Sequence, residues 1–177
     1  MAIGTIKLSV KPYIDRAKLS DITLTDEEIG RYIKAALRSS CMLIRDYAKT
    51  HHNYRDHSGK LTQGIKYEVY HGTRSKNKDN WYGSVGYIRN DARPEYAKWQ
   101  LYGTGQYGVH KTDVVPRRAP FLHFMGINPP FTGRWFRLKS ARGIKGEDYI
   151  KNAYVKNKAK IDAIFEDALQ TMLATKK

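Results

Sequence analysis

The sequence predicts an α+β fold, a single domain with a mainly antiparallel sheet flanked by an N-terminal helix and a long C-terminal helix. Three observations predict it. A capped amphipathic stretch begins at Thr25, an alternating strand–turn–strand pattern occupies the middle of the chain, and a second amphipathic stretch closes it.

The first helix is expected over about Asp26 to Ala48. Thr25 followed by Glu28 is a capping box, and Asp26, Glu27 and Glu28 suit the positive end of a helix. Ile29, Ile33, Ala36, Leu37, Ser40, Cys41, Ile44, Tyr47 and Ala48 recur at helical spacing, with Arg31, Lys34, Arg38 and Arg45 on the other face. Ahead of it, Thr5 to Val10 alternates like a strand or an extended arm, free to pair with its own domain or with a neighbouring subunit. The organisation read here is an extended N-terminal arm over 1-24 and one α+β domain over 25-177.

After a polar loop from His51 to Gly59, Ile65, Tyr67 and Val69 alternate with Lys66, Glu68 and Tyr70, as on a strand. The basic stretch from Gly72 to Asn80 suits a hairpin tip, and a partner strand is expected over Trp81 to Ile88. Gly83 and Gly86 inside that strand signal a bulge or a close backbone approach. Periodicity does not assign Pro94 to Leu101. Gly103, Gly105 and Gly108 open a loop that runs to Arg118. Short strands are expected at Phe121–Phe124 and Trp135–Leu138, and the last helix from about Glu147 to Ala174. Its stripe is Ile150, Ala153, Tyr154, Ile161, Ile164, Phe165, Ala168, Leu169, Met172 and Leu173.

Composition narrows the function classes. The chain has 177 residues, is 41% hydrophobic and includes 13 Tyr, enough apolar material for one core. No apolar stretch reaches the roughly 20 residues that span a bilayer, so no membrane association is expected. No signal peptide is visible at Met1 to Thr5. A single cysteine, Cys41, excludes an intramolecular disulfide. The 32 Lys and Arg against 17 Asp and Glu leave a charge of +15, which draws the protein toward something acidic.

Catalytic patterns are missing. His51, His52 and His57 share a loop with Asp56, but HExxH spacing is absent and adjacent loop histidines splay apart, so a solvated loop is favoured over a metal site. His71, His110 and His123 are isolated and are taken as structural. Cys41 lies within the apolar stripe, where an inert buried thiol is expected. Gly103 to Gly108 fits GxGxxG by letter, yet no helix pattern follows and Pro116 comes soon after. No enzyme and no cofactor is expected. Arg74, Lys76 and Lys78 at the hairpin tip, with Lys111, Arg117 and Arg118 in the long loop, form a candidate basic contact surface. It would serve phosphates or acidic neighbours in an assembly, or else consist of solvated loop tips.

The order of features resembles the head–tail joining family of long-tailed bacteriophages, the neck or tail-completion proteins. That family shows an amphipathic helix, a polar loop into a "tG-L-x-x-s-I" turn, two strands, then "Y-A-x-x-x-E-x-G-T", a proline-bearing loop with a short apolar strand, and a C-terminal helix. The matching stretches here are Ser58 to Ile65, Tyr96 to Thr104, Ala119 to Phe124, and Lys145 to Ile150. The resemblance covers roughly Glu28 to Leu173. The acidic residue usual before Gly-Thr is missing, with Gln100 and Leu101 nearby, and the Gly126–Gly133 loop is distinctive.

The resemblance implies a structural virion protein in the neck, made in the host cytoplasm, that forms a homo-oligomeric ring around the DNA channel as a head–tail connector. Six copies are expected, with twelve as the rival number. Its implied partners are itself, a head-closure ring, and tail terminator or tail tube proteins, with weak contact to DNA in the channel. Tyr96, Trp99, Tyr102, Gly103, Thr104 and Phe121 are the candidate interface; the competing reading places Tyr96 and Trp99 in the core. The alternative function is a basic cytoplasmic nucleic-acid-binding protein.

Overall fold

In the computed structural model, which describes residues 3–10, 25–54, 59–72, 80–88, 97–125, 130 and 132–175, both long helices and the central hairpin form where their sequence patterns lie. The fold is α+β with antiparallel pairing throughout. The chain divides into two compact units. The core unit combines Met1–Pro94 with Tyr149–Lys177, and the inserted unit is Glu95–Asp148.

In the core unit the strands β1 (Ile3–Val10), β2 (Lys66–His71) and β3 (Trp81–Tyr87) make one sheet in the order β1-β3-β2. Of the two partners open to the first strand, its own sheet takes it: β1 runs antiparallel to β3, with Lys7 opposite Ser84 and Val10 opposite Trp81. Residues 11–24, the rest of the expected arm, lie outside the described residues. β2 and β3 form the expected hairpin, with Glu68 opposite Ser84 and the Gly72 N–H donating to the Asn80 carbonyl at 2.9 Å.

Helix α1 (Asp26–Thr50) starts as the capping box requires. The Glu28 N–H donates to Thr25 Oγ1 at 3.2 Å, and the Thr25 N–H donates to Glu28 Oε2 at 2.9 Å. Ile29, Ala36, Leu37, Ser40, Cys41, Ile44 and Ala48 of its stripe are buried. Gly83 is a close approach: a Cβ there would stand 2.5 Å from Cys41 Sγ, so only glycine lets the central strand meet this helix. A short helix, α2 (Lys60–Gly64), precedes β2 and buries Leu61; the sequence pattern offered only a turn there.

Helix α4 (Tyr149–Ala174) packs on α1. Tyr32 near the start of α1 meets Thr175 just past the end of α4 at 3.2 Å, while Tyr149 at the start of α4 lies against Tyr54 beyond the end of α1. The two helices therefore run antiparallel. Tyr149 and Tyr87 are both fully buried, and each hydroxyl is satisfied: Tyr87 donates to the Leu61 carbonyl at 3.0 Å and accepts from Tyr149 at 2.6 Å. Burial, followed by the Tyr87 hydroxyl, pushes the Tyr149 phenol well above its ordinary range. Ile150, Ala153, Ile161 and Met172 of the expected stripe are buried, whereas Leu169 is exposed and Asn157 takes an inward position, its amide donating to the Ala153 carbonyl at 2.8 Å.

The inserted unit holds a short helix, α3 (Ala97–Tyr102), in the stretch that periodicity left unassigned, and a two-stranded hairpin of β4 (Leu122–Met125) and β5 (Trp135–Leu138). Leu122 faces Leu138 and Phe124 faces Phe136, whose rings stack at 5.4 Å.

Candidate functional site

Chemistry in the inserted unit starts from α3. Six residues make fewer than two turns, so Ala97 and Leu101, four apart, take the buried side and turn Lys98, Trp99 and Tyr102 outward. Trp99 is 48% exposed, which removes the reading of Trp99 as a core residue.

Past the helix the chain turns at Gly103 (φ +78°), runs through a single 3₁₀ turn at Gly105–Tyr107, and is clasped by a return segment some forty residues later. The Thr104 N–H donates to the Ile144 carbonyl at 2.8 Å, and the Ile144 N–H donates back to Thr104 Oγ1 at 3.0 Å. Gln106 N–H reaches the Arg142 carbonyl and Glu147 N–H the Gln100 carbonyl, each at 2.8 Å. An isolated antiparallel bridge joins Val114 to Ala141. Glycine is required where the two backbones cross. A Cβ on Gly103 would stand 2.8 Å from the Gly146 nitrogen, and one on Gly143 (φ +94°) would collide with the Thr104 carbonyl. The Gly103–Gly108 pattern thus serves a backbone clasp that follows a helix, a different setting from the strand-to-helix turn of a dinucleotide site.

This clasp forms one side of an open groove of about 500 Å³. Among the expected interface residues it gathers Trp99, Tyr102, Gly103 and Thr104, and it adds Arg117 from the expected basic surface. Phe121, Lys111 and Arg118 are exposed but do not line it. Lys111 holds a left-handed backbone (φ +51°). Tyr96, Arg74, Lys76 and Lys78 lie outside the described residues. The groove also includes His110, taken from the sequence as structural, and Lys98, Val109, Asp113 and Val115, which sequence reasoning passed over. Lys98 and Tyr102 are one helical turn apart, a signal readable only once α3 is recognised as a helix. For Val109 and Val115 no local signal exists.

A second feature of this unit is its apolar exterior. Trp135 is 72% exposed, and Phe121, Phe124, Met125 and Leu138 also face solvent on or beside the β4–β5 hairpin. Because side chains alternate along a strand, Phe124 and Leu138 lie on one face and Met125 and Trp135 on the other, so both faces of the ribbon present apolar surface.

In the core unit the loop histidines are engaged with separate tyrosines. His51 stacks on Tyr47 at 3.9 Å, and His52 on Tyr54 at 3.7 Å. His57 lies outside the described residues. His71 lies against Trp81 at 4.7 Å, yet it is exposed, as are His110 and His123, all three expected to be structural. Among the described residues no group of three or more His, Cys, Asp or Glu side chains could hold a metal ion. Cys41 is buried, and that burial pushes its thiol from 9.0 up to about 12. A thiol so raised is a poor nucleophile at neutral pH. Among the described residues no helix is long and apolar enough to cross a membrane.

Compared with family models, with curated proteins and with solved structures, the chain matches none.

Proposed function

We propose that the protein is a non-catalytic structural component that works by assembly, and that it acts in the neck of a long-tailed bacteriophage as a ring joining the DNA-filled head to the tail. One observation carries the assembly reading. Eleven of the fifteen large apolar residues exposed among the described residues belong to the inserted unit. Solvated proteins rarely leave so much aromatic and aliphatic surface in one short segment unless another molecule covers it. A lone two-stranded ribbon is also marginal in water, and packing of its faces against another molecule would stabilise it.

The placement of that surface supports the finer reading. The stretches that resemble the phage joining proteins, Tyr96 to Thr104, Ala119 to Phe124 and the start of Lys145 to Ile150, contribute α3, the clasp and β4. With β1 paired in its own sheet, contact between copies falls chiefly to the hairpin. Repetition of one head-to-tail contact until it closes would give the ring, six copies being favoured over twelve.

Electron microscopy of lysates from the parent phage with this gene deleted tests the proposal. DNA-filled heads beside finished, unattached tails are expected. Overlong tails would move the protein to the tail terminator, and intact infectious particles would overturn the joining role. Nucleic-acid binding is the second reading, favoured by nine Lys and Arg against four Asp and Glu between 95 and 148. It requires tight DNA or RNA binding with a steep loss of affinity as salt rises; the ring reading expects weak binding at physiological salt.

A further inference from the structure

We propose that the groove beside α3 is a docking site for an acidic peptide segment with an apolar anchor, contributed by a partner protein. The proposal rests on the assembly reading above and names the chemistry of the partner at that surface.

The lining has two kinds of side chain. Trp99 and Tyr102 on α3 and Val109 and Val115 on the loop are exposed apolar groups, with Val109 86% exposed. Lys98 and Arg117 supply positive charge. Among the described residues neither Lys98 nor Arg117 is paired with a carboxylate. Asp113 is the one carboxylate in the lining, and it already accepts from the Gln106 amide at 2.7 Å. The groove therefore presents net positive charge beside a wide apolar surface.

Charge complementarity selects the occupant. A chain of +15 attracts an acidic partner at long range. Two cations in a lining that also carries apolar side chains match a segment with carboxylates near an aromatic or branched aliphatic side chain. A nucleic-acid strand fits less well: it would stack on Trp99 and Tyr102, but its backbone has no use for Val109 and Val115. The site is also preorganised. Gly103, Gly105 and Gly143 let the return segment press against the backbone of Gly103 to Gln106 through hydrogen bonds, so a ligand would meet a formed surface with little ordering cost.

The test is selection of a random-peptide display library on the immobilised full chain, followed by fluorescence polarisation with the enriched peptide and with a single-stranded oligothymidylate. Enrichment of acidic peptides that also carry an aromatic or branched aliphatic residue is expected. Trp99→Ala and Lys98→Glu should each weaken the enriched peptide by about tenfold or more. Both side chains are exposed, so circular dichroism of the variants should match the parent; Arg117→Glu, from the loop rather than α3, gives an independent third variant. Basic or unpatterned peptides, or acidic peptides whose affinity survives all three substitutions, overturn the proposal. Oligothymidylate binding that is lost in the same variants, with no peptide enriched, would assign the groove to nucleic acid instead. The result is separable from the particle phenotype. A gene deletion that blocks head–tail joining leaves the assembly role standing when peptide selection fails, and a bound acidic peptide does not depend on where in a particle the protein sits.

Discussion

The two units of this chain are held together by different forces. The core unit closes around Leu37, Ile44, Ile65, Val85, Tyr87, Tyr149 and Ile150, all without solvent exposure. The inserted unit, among its described residues, buries only Ala97 and Leu101, and its order comes from backbone hydrogen bonds between 100–114 and 141–147. A buried Leu or Ile contributes about 1.5–3 kcal/mol, a backbone hydrogen bond about 0.5–1.5 kcal/mol net. The difference teaches where apolar side chains are spent: inward for stability in one unit, outward for contact in the other. A partner that covers the inserted unit would add its binding free energy to the stability of the whole.

That contrast can be broken or sharpened by experiment. The largest effect is expected from Leu37→Ala, which empties a fully buried site between α1 and the sheet. It should lower unfolding free energy by about 2–5 kcal/mol in urea titrations followed by circular dichroism. In the inserted unit, Gly143→Ala forces a Cβ into the Thr104 carbonyl at a left-handed backbone. A loss of about 1–3 kcal/mol is expected, seen as faster hydrogen exchange at the Thr104, Gln106 and Glu147 amides. Unchanged exchange there would mean that the clasp is not what orders this unit.

Alkaline pH probes the core unit through Cys41 and Tyr149. Above 9.0 the unfolded chain releases the Cys41 proton, whereas the folded chain holds it until about 12. Unfolding is therefore increasingly favoured as pH rises through that window, by about 1.4 kcal/mol per unit from this group. Tyr149, also raised, acts in the same direction. Cys41→Ala should flatten the profile between pH 9 and 11, and an unaltered profile would exclude the thiol as its source. The smallest stability effect is expected for Trp135→Ser, below about 0.5 kcal/mol, because the ring is mostly in solvent. Its visible consequence should be lost binding to assembly partners, read by co-sedimentation. A stability cost as large as that of Leu37→Ala would erase the distinction between the two units.

Much of the core unit was legible from local pattern. Helix α1 has a capping box and seven buried stripe positions, and the β2–β3 hairpin alternates cleanly on either side of its basic turn. The short helices were not legible, because five or six residues in α2 and α3 give no measurable period. Asn157 escaped because its amide is satisfied by its own helix, which hides a polar residue inside an apolar stripe. At the groove, Trp99, Tyr102, Gly103, Thr104 and Arg117 were readable from residue type. The clasp was not: whether Gly103 serves a turn or a crossing depends on Gly146, far away in sequence. The same holds for Val109 and Val115, whose meaning comes only from what stands opposite them.

The order of β1, β3 and α4 in the core unit has a consequence for how the protein is made. Strand β1 pairs with residues some eighty positions later, and α1 packs on a helix that ends only at Ala174. During translation, α1 and the β2–β3 hairpin leave the ribosome long before α4, with the surface of α1 that α4 covers still exposed. The inserted unit, whose partners are all within about fifty residues of one another, can close first. Chaperone dependence should therefore track the delay before the last helix appears, and synonymous changes that slow elongation between 149 and 174 should lower the soluble yield more than the same changes within 95–148.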